Sequence, residues 1–170
     1  MRPTIDSELA ELLSEHGTPG VRCTRNGNGA PARDVATVLR RLAPACTVHL
    51  DAECVTSSDD LEFVVGVFAE ATQGAWPIAK LAADWDTDTG HAVVEFVDRG
   101  AHRRWDFEQR DNAVSRELLD LIAQYAREHL PGEFVEVPAS DECHCAIYLP
   151  PDAAEALREL LEEEQEELAH

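Results

Sequence analysis

His91-Ala-Val-Val-Glu-Phe-Val-Asp98, then Arg99-Gly100, then Ala101-His-Arg-Arg-Trp-Asp-Phe-Glu-Gln109 is the stretch from which the fold is read. Apolar and polar residues alternate on both sides of a two-residue turn, the pattern of a half-buried antiparallel hairpin. A turn at Arg99-Gly100 sets Val94 opposite Trp105 and Glu95 opposite Arg104, so one face is apolar and the other charged. Working back, Asp-Thr-Asp-Thr-Gly at 86–90 is a second turn, and Trp76 to Trp85 reads as the third strand of a meander. One side of that meander must face a core and the other water.

Helices flank it. Forward in the chain, Val114, Leu118, Leu119, Ile122, Tyr125 and Ala126 form one stripe of a helix expected over Asn112 to His129, which Pro131-Gly132 ends. Glu133 to Val137 and His144 to Leu149 read as short strands. A last helix starts near Asp152 and Glu155, with Ala156, Leu157, Leu160 and Leu161 on its apolar side. Beyond Leu161 the text is Glu-Glu-Glu-Gln-Glu-Glu, and negative charge at a helix C-terminus opposes the dipole. Fraying is therefore expected over 162–170, with one domain over 1–161.

Backward in the chain, Ser57, Ser58 and Asp59 cap a helix expected through about Gln73, although Phe63-Val64-Val65 reads equally as strand. Cys46 to Val55 alternates with period two, placing Cys46, Val48, Leu50, Ala52 and Cys54 on one face. Helices are expected over Ile5 to His16, capped by Thr4, and from about Pro31 to Leu42. Between them lie the alternating Val21 to Thr24 and the turn Asn26-Gly27-Asn28-Gly29. The sum is an α+β domain with a mainly antiparallel sheet, a central three-stranded meander plus additional strands, packed by four to five helices.

The chain has 170 residues, 34 Asp plus Glu and 14 Lys plus Arg, for a net charge of −20. Such a chain repels phosphate backbones, which argues against direct nucleic-acid binding. No apolar run reaches the ~18 residues of a membrane span, and the polar start is unlike a signal peptide. Five cysteines, an odd number in a chain of this size, fit reduced thiols and a cytoplasmic setting. The charge is uneven. Residues 1–50 sum to +1 and residues 51–98 to −10. An evenly acidified surface, made for solubility or salty surroundings, would not leave the first third neutral.

Three groups of residues have spacings that bear on chemistry. Asp84, Asp86, Asp88, Gly90 and Glu95 place alternate carboxylates before a Glu at the twelfth position, which resembles the calcium loop of EF-hands. The pattern departs from that family in having Thr89 at the sixth position, Gly90 one place late, and strands in place of flanking helices. Cys143-His144-Cys145, with Cys23, Cys46, Cys54 and His49 elsewhere, offers zinc-type ligands without a second closely spaced pair. On a strand, Cys143 and Cys145 share the face of Ile147 and Leu149 and read as small core residues. The Arg25–Gly29 loop lacks the Lys-Ser/Thr ending of a phosphate loop and reads as a plain turn. No motif of a catalytic family is present, and no cofactor is implied.

The expectation is therefore a non-enzymatic acidic binding protein of the immunity-protein or inhibitor class, an analogy of class alone. It would neutralise a basic protein partner, such as a toxin or nuclease, by filling the cleft that holds a polyanion. Asp84, Asp86, Asp88, Glu95, Asp106 and Glu108 are the expected contact residues, with Trp85 as an anchor if exposed. The alternative is a metal-binding protein or enzyme using the Asp84–Glu95 loop or the Cys143/His144/Cys145 cluster for calcium or zinc.

Overall fold

A computed structural model describes residues 4–16 and 34–169. The elements run α1 (Ile5–Glu15), α2 (Val35–Leu42), β1 (Thr47–Asp51), α3 (Ser58–Ala71), β2 (Ile78–Trp85), β3 (His91–Asp98), β4 (Ala101–Glu108), α4 (Arg116–His129), β5 (Glu133–Val137), β6 (Cys143–Leu149) and α5 (Pro151–Leu168). The fold is α+β and all strand pairs are antiparallel, in two three-stranded sheets ordered β1-β6-β5 and β2-β3-β4.

The meander has the register read from the sequence, with Val94 opposite Trp105 and Glu95 opposite Arg104. Arg99 and Gly100 both have positive φ, 49° and 82°. That is the turn whose twist matches two right-twisted strands, and glycine takes its second position without a Cβ penalty. Ala92, Val94, Phe96 and Phe107 are buried on the inner face. β2 is shorter than expected because Trp76 leaves the strand and enters the core, against Phe96, Trp105 and Tyr125. A bulge at Lys80, whose φ is 51°, shifts the register between Ala79 and Ala82.

Period-two alternation gives the other sheet two buried faces. Val48, Leu50, Phe134 and Ala146 face the core shared with α3, α4 and the meander. Val135, Val137, Cys145, Ile147 and Leu149 face the core shared with α1, α2 and α5. The layers are thus α1/α2/α5, the β1-β6-β5 sheet, α3/α4, and the meander. Of the four sheet faces, only the outer face of the meander carries no layer of described residues.

Several boundaries differ from expectation. The strand expected over Cys46–Val55 ends at Asp51, and Cys46 packs in the α1/α2/α5 core, opposite to Val48. Of the two readings left open for this segment the helix holds, over 58–71, and Asp60 caps it by accepting from the N–H groups of Thr56 (2.7 Å) and Ser57 (3.1 Å). α4 starts at Arg116 and not Asn112, because the Gln109 side chain holds the intervening loop. Its Nε2 donates to the carbonyls of Asp111 and Ala113 (2.6 Å each), and its Oε1 accepts from Ser115 N–H (3.2 Å). α2 begins after Asp34, whose Oδ1 accepts from Ala36 N–H at 3.0 Å. Val21–Thr24, Cys23, Asn26–Gly29 and Pro31 lie outside the described residues. Helix α5 continues to Leu168, and Leu161 is its last buried residue. Among the described residues no helix is long and apolar enough to cross a membrane.

On β2, the outward N–H groups of Ala83 and Trp85 donate to α3 side chains, Glu62 Oε1 at 3.1 Å and Ser58 Oγ at 2.9 Å. A helix thus covers an edge that would otherwise template another strand. Glu62→Ala with Ser58→Ala is expected to cost about 1–3 kcal/mol in urea denaturation, as two net hydrogen bonds are lost. Light scattering of the same variant should show association that the parent lacks.

Candidate functional site

The outer face of the meander is built by strand alternation. In register across β2, β3 and β4 stand Asp84, Val93 and Asp106, and beside them Ala82, Glu95 and Arg104. His91 and Glu108 form the next rung. The face is mixed in charge. Arg104 lies 3.4 Å from Glu95 and 3.2 Å from Asp106, His91 lies 3.0 Å from Asp106, and Arg110 lies 2.8 Å from Glu108. The hydrogen bond from Arg104 holds the Asp106 carboxyl below the usual aspartate range, against a smaller effect of desolvation. Arg110 does the same for Glu108. Because all these groups are open to water, the pairs fix geometry more than they add stability.

Asp84, Asp86 and Asp88 differ from those acids. They are exposed, and no cation lies within ion-pair distance of them among the described residues. Asp86 shapes the turn: its Oδ1 accepts from Asp88 N–H (2.9 Å) and Thr89 N–H (3.3 Å), and its carbonyl accepts from Gly90 N–H (2.8 Å). Trp85 faces the core, half-buried, and its Nε1 donates to the Gln109 carbonyl at 2.8 Å. The expected anchor residue is therefore spent on joining β2 to the end of β4.

The calcium-like spacing dissolves in three dimensions. Gly90, at φ 79°, closes a hairpin, and Glu95 lies along β3 opposite Ala82 and Arg104. A hairpin spreads these carboxylates along two strands, whereas the helix-flanked loop wraps them around an ion. The Cys143/His144/Cys145 cluster is divided by the pleat. Cys145 lies buried in the α1/α2/α5 core, and His144 points to the opposite face, with its ring 6.3 Å from Phe68. Burial pushes the Cys145 thiol up to about 12. Among the described residues no three His, Cys, Asp or Glu side chains are placed to hold a metal ion.

A second site, this one concave, was not read from the sequence. A groove of about 660 Å³ lies between α4 and α5 along β5, with Arg116, Asp120, Arg127, Glu136, Arg158 and Glu162 among its walls. Arg116 grips Glu136 through two hydrogen-bonding nitrogens, Nη2–Oε2 2.8 Å and Nη1–Oε1 3.0 Å, and also meets Asp120 at 3.0 Å. The Arg116 guanidinium is raised and the Glu136 carboxyl lowered by that grip. His144 Nδ1 stands 3.6 Å from Glu136, and desolvation holds the imidazole below its usual value. Arg158 pairs with Glu133. Arg127 has no ion pair among the described residues. A carboxylate held by two guanidinium nitrogens is a poor base, and the groove's polar groups suit binding more than bond-breaking.

The parts of this groove come from 116–127, 134–138 and 158–165. Each reads locally as an ordinary helix or strand, so no linear pattern marks it. Compared with protein-family models, with curated proteins and with solved structures, the chain finds no match.

Proposed function

We propose that this domain is a binding protein that neutralises a basic protein partner through the outer face of the meander and the Asp86–Gly90 turn. The observation that carries the reading is the continuity of two features. Among the described residues, the one sheet face without a covering layer runs into the turn, and Asp84 at the end of β2 and Asp86 and Asp88 in the turn have no ion-pair partner. The acids divide the work. Glu95, Asp106 and Glu108, fixed by Arg104 and Arg110, present oriented carboxylates around Val93 and Val97. The unpaired turn acids supply the field that steers a cationic surface. A cleft lined by Arg and Lys to hold a polyanion, as in a nuclease, is the surface that such a face would occlude.

The test uses Asp84→Asn, Asp86→Asn and Asp88→Asn together. The Asx turn survives, because an Asn side-chain oxygen accepts from the same N–H groups. A basic protein retained stoichiometrically from host lysate by the parent is expected to associate at least about tenfold more slowly with the triple variant at low salt. The difference should vanish near 1 M salt, where the Debye length is about 3 Å. A retained partner whose association rate ignores all three substitutions would overturn the reading.

A further inference from the structure

We propose that β5 takes up an extended peptide segment as a fourth strand of the β1-β6-β5 sheet, with a carboxylate of that segment on Arg127. The argument starts from the backbone of β6. Tyr148 N–H donates to the Cys46 carbonyl at 2.9 Å, so Tyr148 and every second residue from it direct their peptide groups to β1. Ile147 and its alternates therefore serve β5, and Val135 opposite Ile147 is the hydrogen-bonded residue. The N–H and C=O groups of Phe134 and Glu136 point the other way, off the sheet. No described side chain or backbone group bonds to them, in contrast to β2, where Glu62 and Ser58 cover the edge.

What lies beyond that edge is the groove between α4 and α5. The two helices pack on opposite faces of the same sheet, α4 with the Phe134 side and α5 with the Val135 and Val137 side. Because one helix lies on each face of the sheet, the slot between them continues the plane of the sheet, where a further strand would run about 4.8 Å from β5. An edge open to this slot matches strand addition, in which main-chain bonds provide affinity and alternate pockets provide choice of side chain. The α4 wall offers Arg127, the one arginine of the groove not paired among the described residues, since Arg116 serves Glu136 and Asp120 and Arg158 serves Glu133. The α5 wall offers Leu161. The fitting segment therefore alternates an acidic and an apolar side chain. Pro138, which has no N–H, limits pairing to a short stretch.

The experiment is amide exchange and chemical-shift mapping by NMR on the full chain. In the free protein the Phe134 and Glu136 amides should exchange much faster than those of Val135 and Val137. Adding the pentapeptide acetyl-Val-Glu-Val-Glu-Val-amide should shift and protect Phe134 and Glu136. N-methylation of alternate peptide residues should abolish the effect, and replacing Glu by Lys should weaken binding about tenfold, the value of one charge-assisted contact. Arg127→Glu, whose fold the same spectrum checks, should reverse the Glu-over-Lys order. Any of four results would overturn the proposal. Phe134 and Glu136 could be protected in the dilute free protein, or gain protection with protein concentration alone, which assigns the slot to a second copy. Neither peptide at millimolar concentration could shift them. N-methylation could leave the peptide's effect intact.

Discussion

Gln109→Leu is expected to lower the unfolding free energy by about 3 kcal/mol or more, read as a fall in denaturant midpoint at constant m-value. The leucine has nearly the same volume, so the loss reports hydrogen bonding. Gln109 is 1% exposed, and its amide serves two carbonyls and one N–H of the 111–115 loop. An apolar replacement leaves those three backbone groups without their partner at a part-buried site, at about 1–3 kcal/mol each before relaxation and the entry of water. That loop also ties to the 52–55 segment, through Val55 N–H on Asn112 O and Val114 N–H on Ala52 O. Gln109→Glu should be comparably damaging near neutral pH, since a carboxylate would then face two carbonyl oxygens. A midpoint within experimental error of the parent for either variant would remove Gln109 from its role as the joint between β4 and α4.

The second large effect is the pH dependence carried by Asp98 and Tyr125. The Asp98 side chain is 3% exposed on the inner face of the meander. It accepts a hydrogen bond from the Tyr125 hydroxyl and another from Arg99 Nε at 3.1 Å. Burial alone would raise its carboxyl, but the bonds from Tyr125 and Arg99 outweigh burial, so the net direction is down. A carboxyl lowered in the folded state stabilises fully above its unfolded value of about 4, and that stability is lost as pH falls through the depressed value. Asp98→Asn should therefore cost about 2 kcal/mol at neutral pH, in the range for hydrogen bonds to a charged group. It should also flatten the acid limb of a plot of stability against pH. Tyr125 shows the opposite sign. Burial first, and then the neighbouring Asp98 carboxylate, push its hydroxyl up to about 12. Its contribution is complete below about pH 10 and is lost as pH rises from there through about 12. Tyr125→Phe should remove that alkaline limb. An Asn variant with an unchanged acid limb would show that other carboxylates carry it.

The two proposed binding surfaces lie on different layers and differ in chemistry. The meander face is a flat array whose unpaired charge is negative. The β5 slot is a backbone edge with an unpaired arginine. A partner that covers the first leaves the second free, and the charge-neutralised turn variant and Arg127→Glu therefore test separate surfaces.

Much of the architecture was legible in the sequence because it rests on local periods. The 91–109 hairpin, its turn and its register follow from alternation and from the conformational freedom of one glycine at position 100. The opposite faces of Cys145 and His144 follow from the pleat, whereas Cys143, expected in the core beside Cys145, is half-buried and outside it. The helical state of 58–71 did not follow from its apolar residues, and it is decided by a cap, Asp60, together with the surfaces it packs against. What the sequence by itself determined is the set of elements other than 58–71, the wet and dry faces of the meander, and the excess of negative charge between residues 51 and 98. Only the tertiary structure decided that the strands divide into two sheets with α3 and α4 between them. It also decided which acids Arg104 and Arg110 neutralise, that Trp85 turns to the core, and that β5 opens onto a slot between α4 and α5. The physical reason is range. Periodicity and turn chemistry act over a few residues, whereas ion pairing, edge covering and groove formation depend on segments tens of residues apart, which meet only when the layers pack.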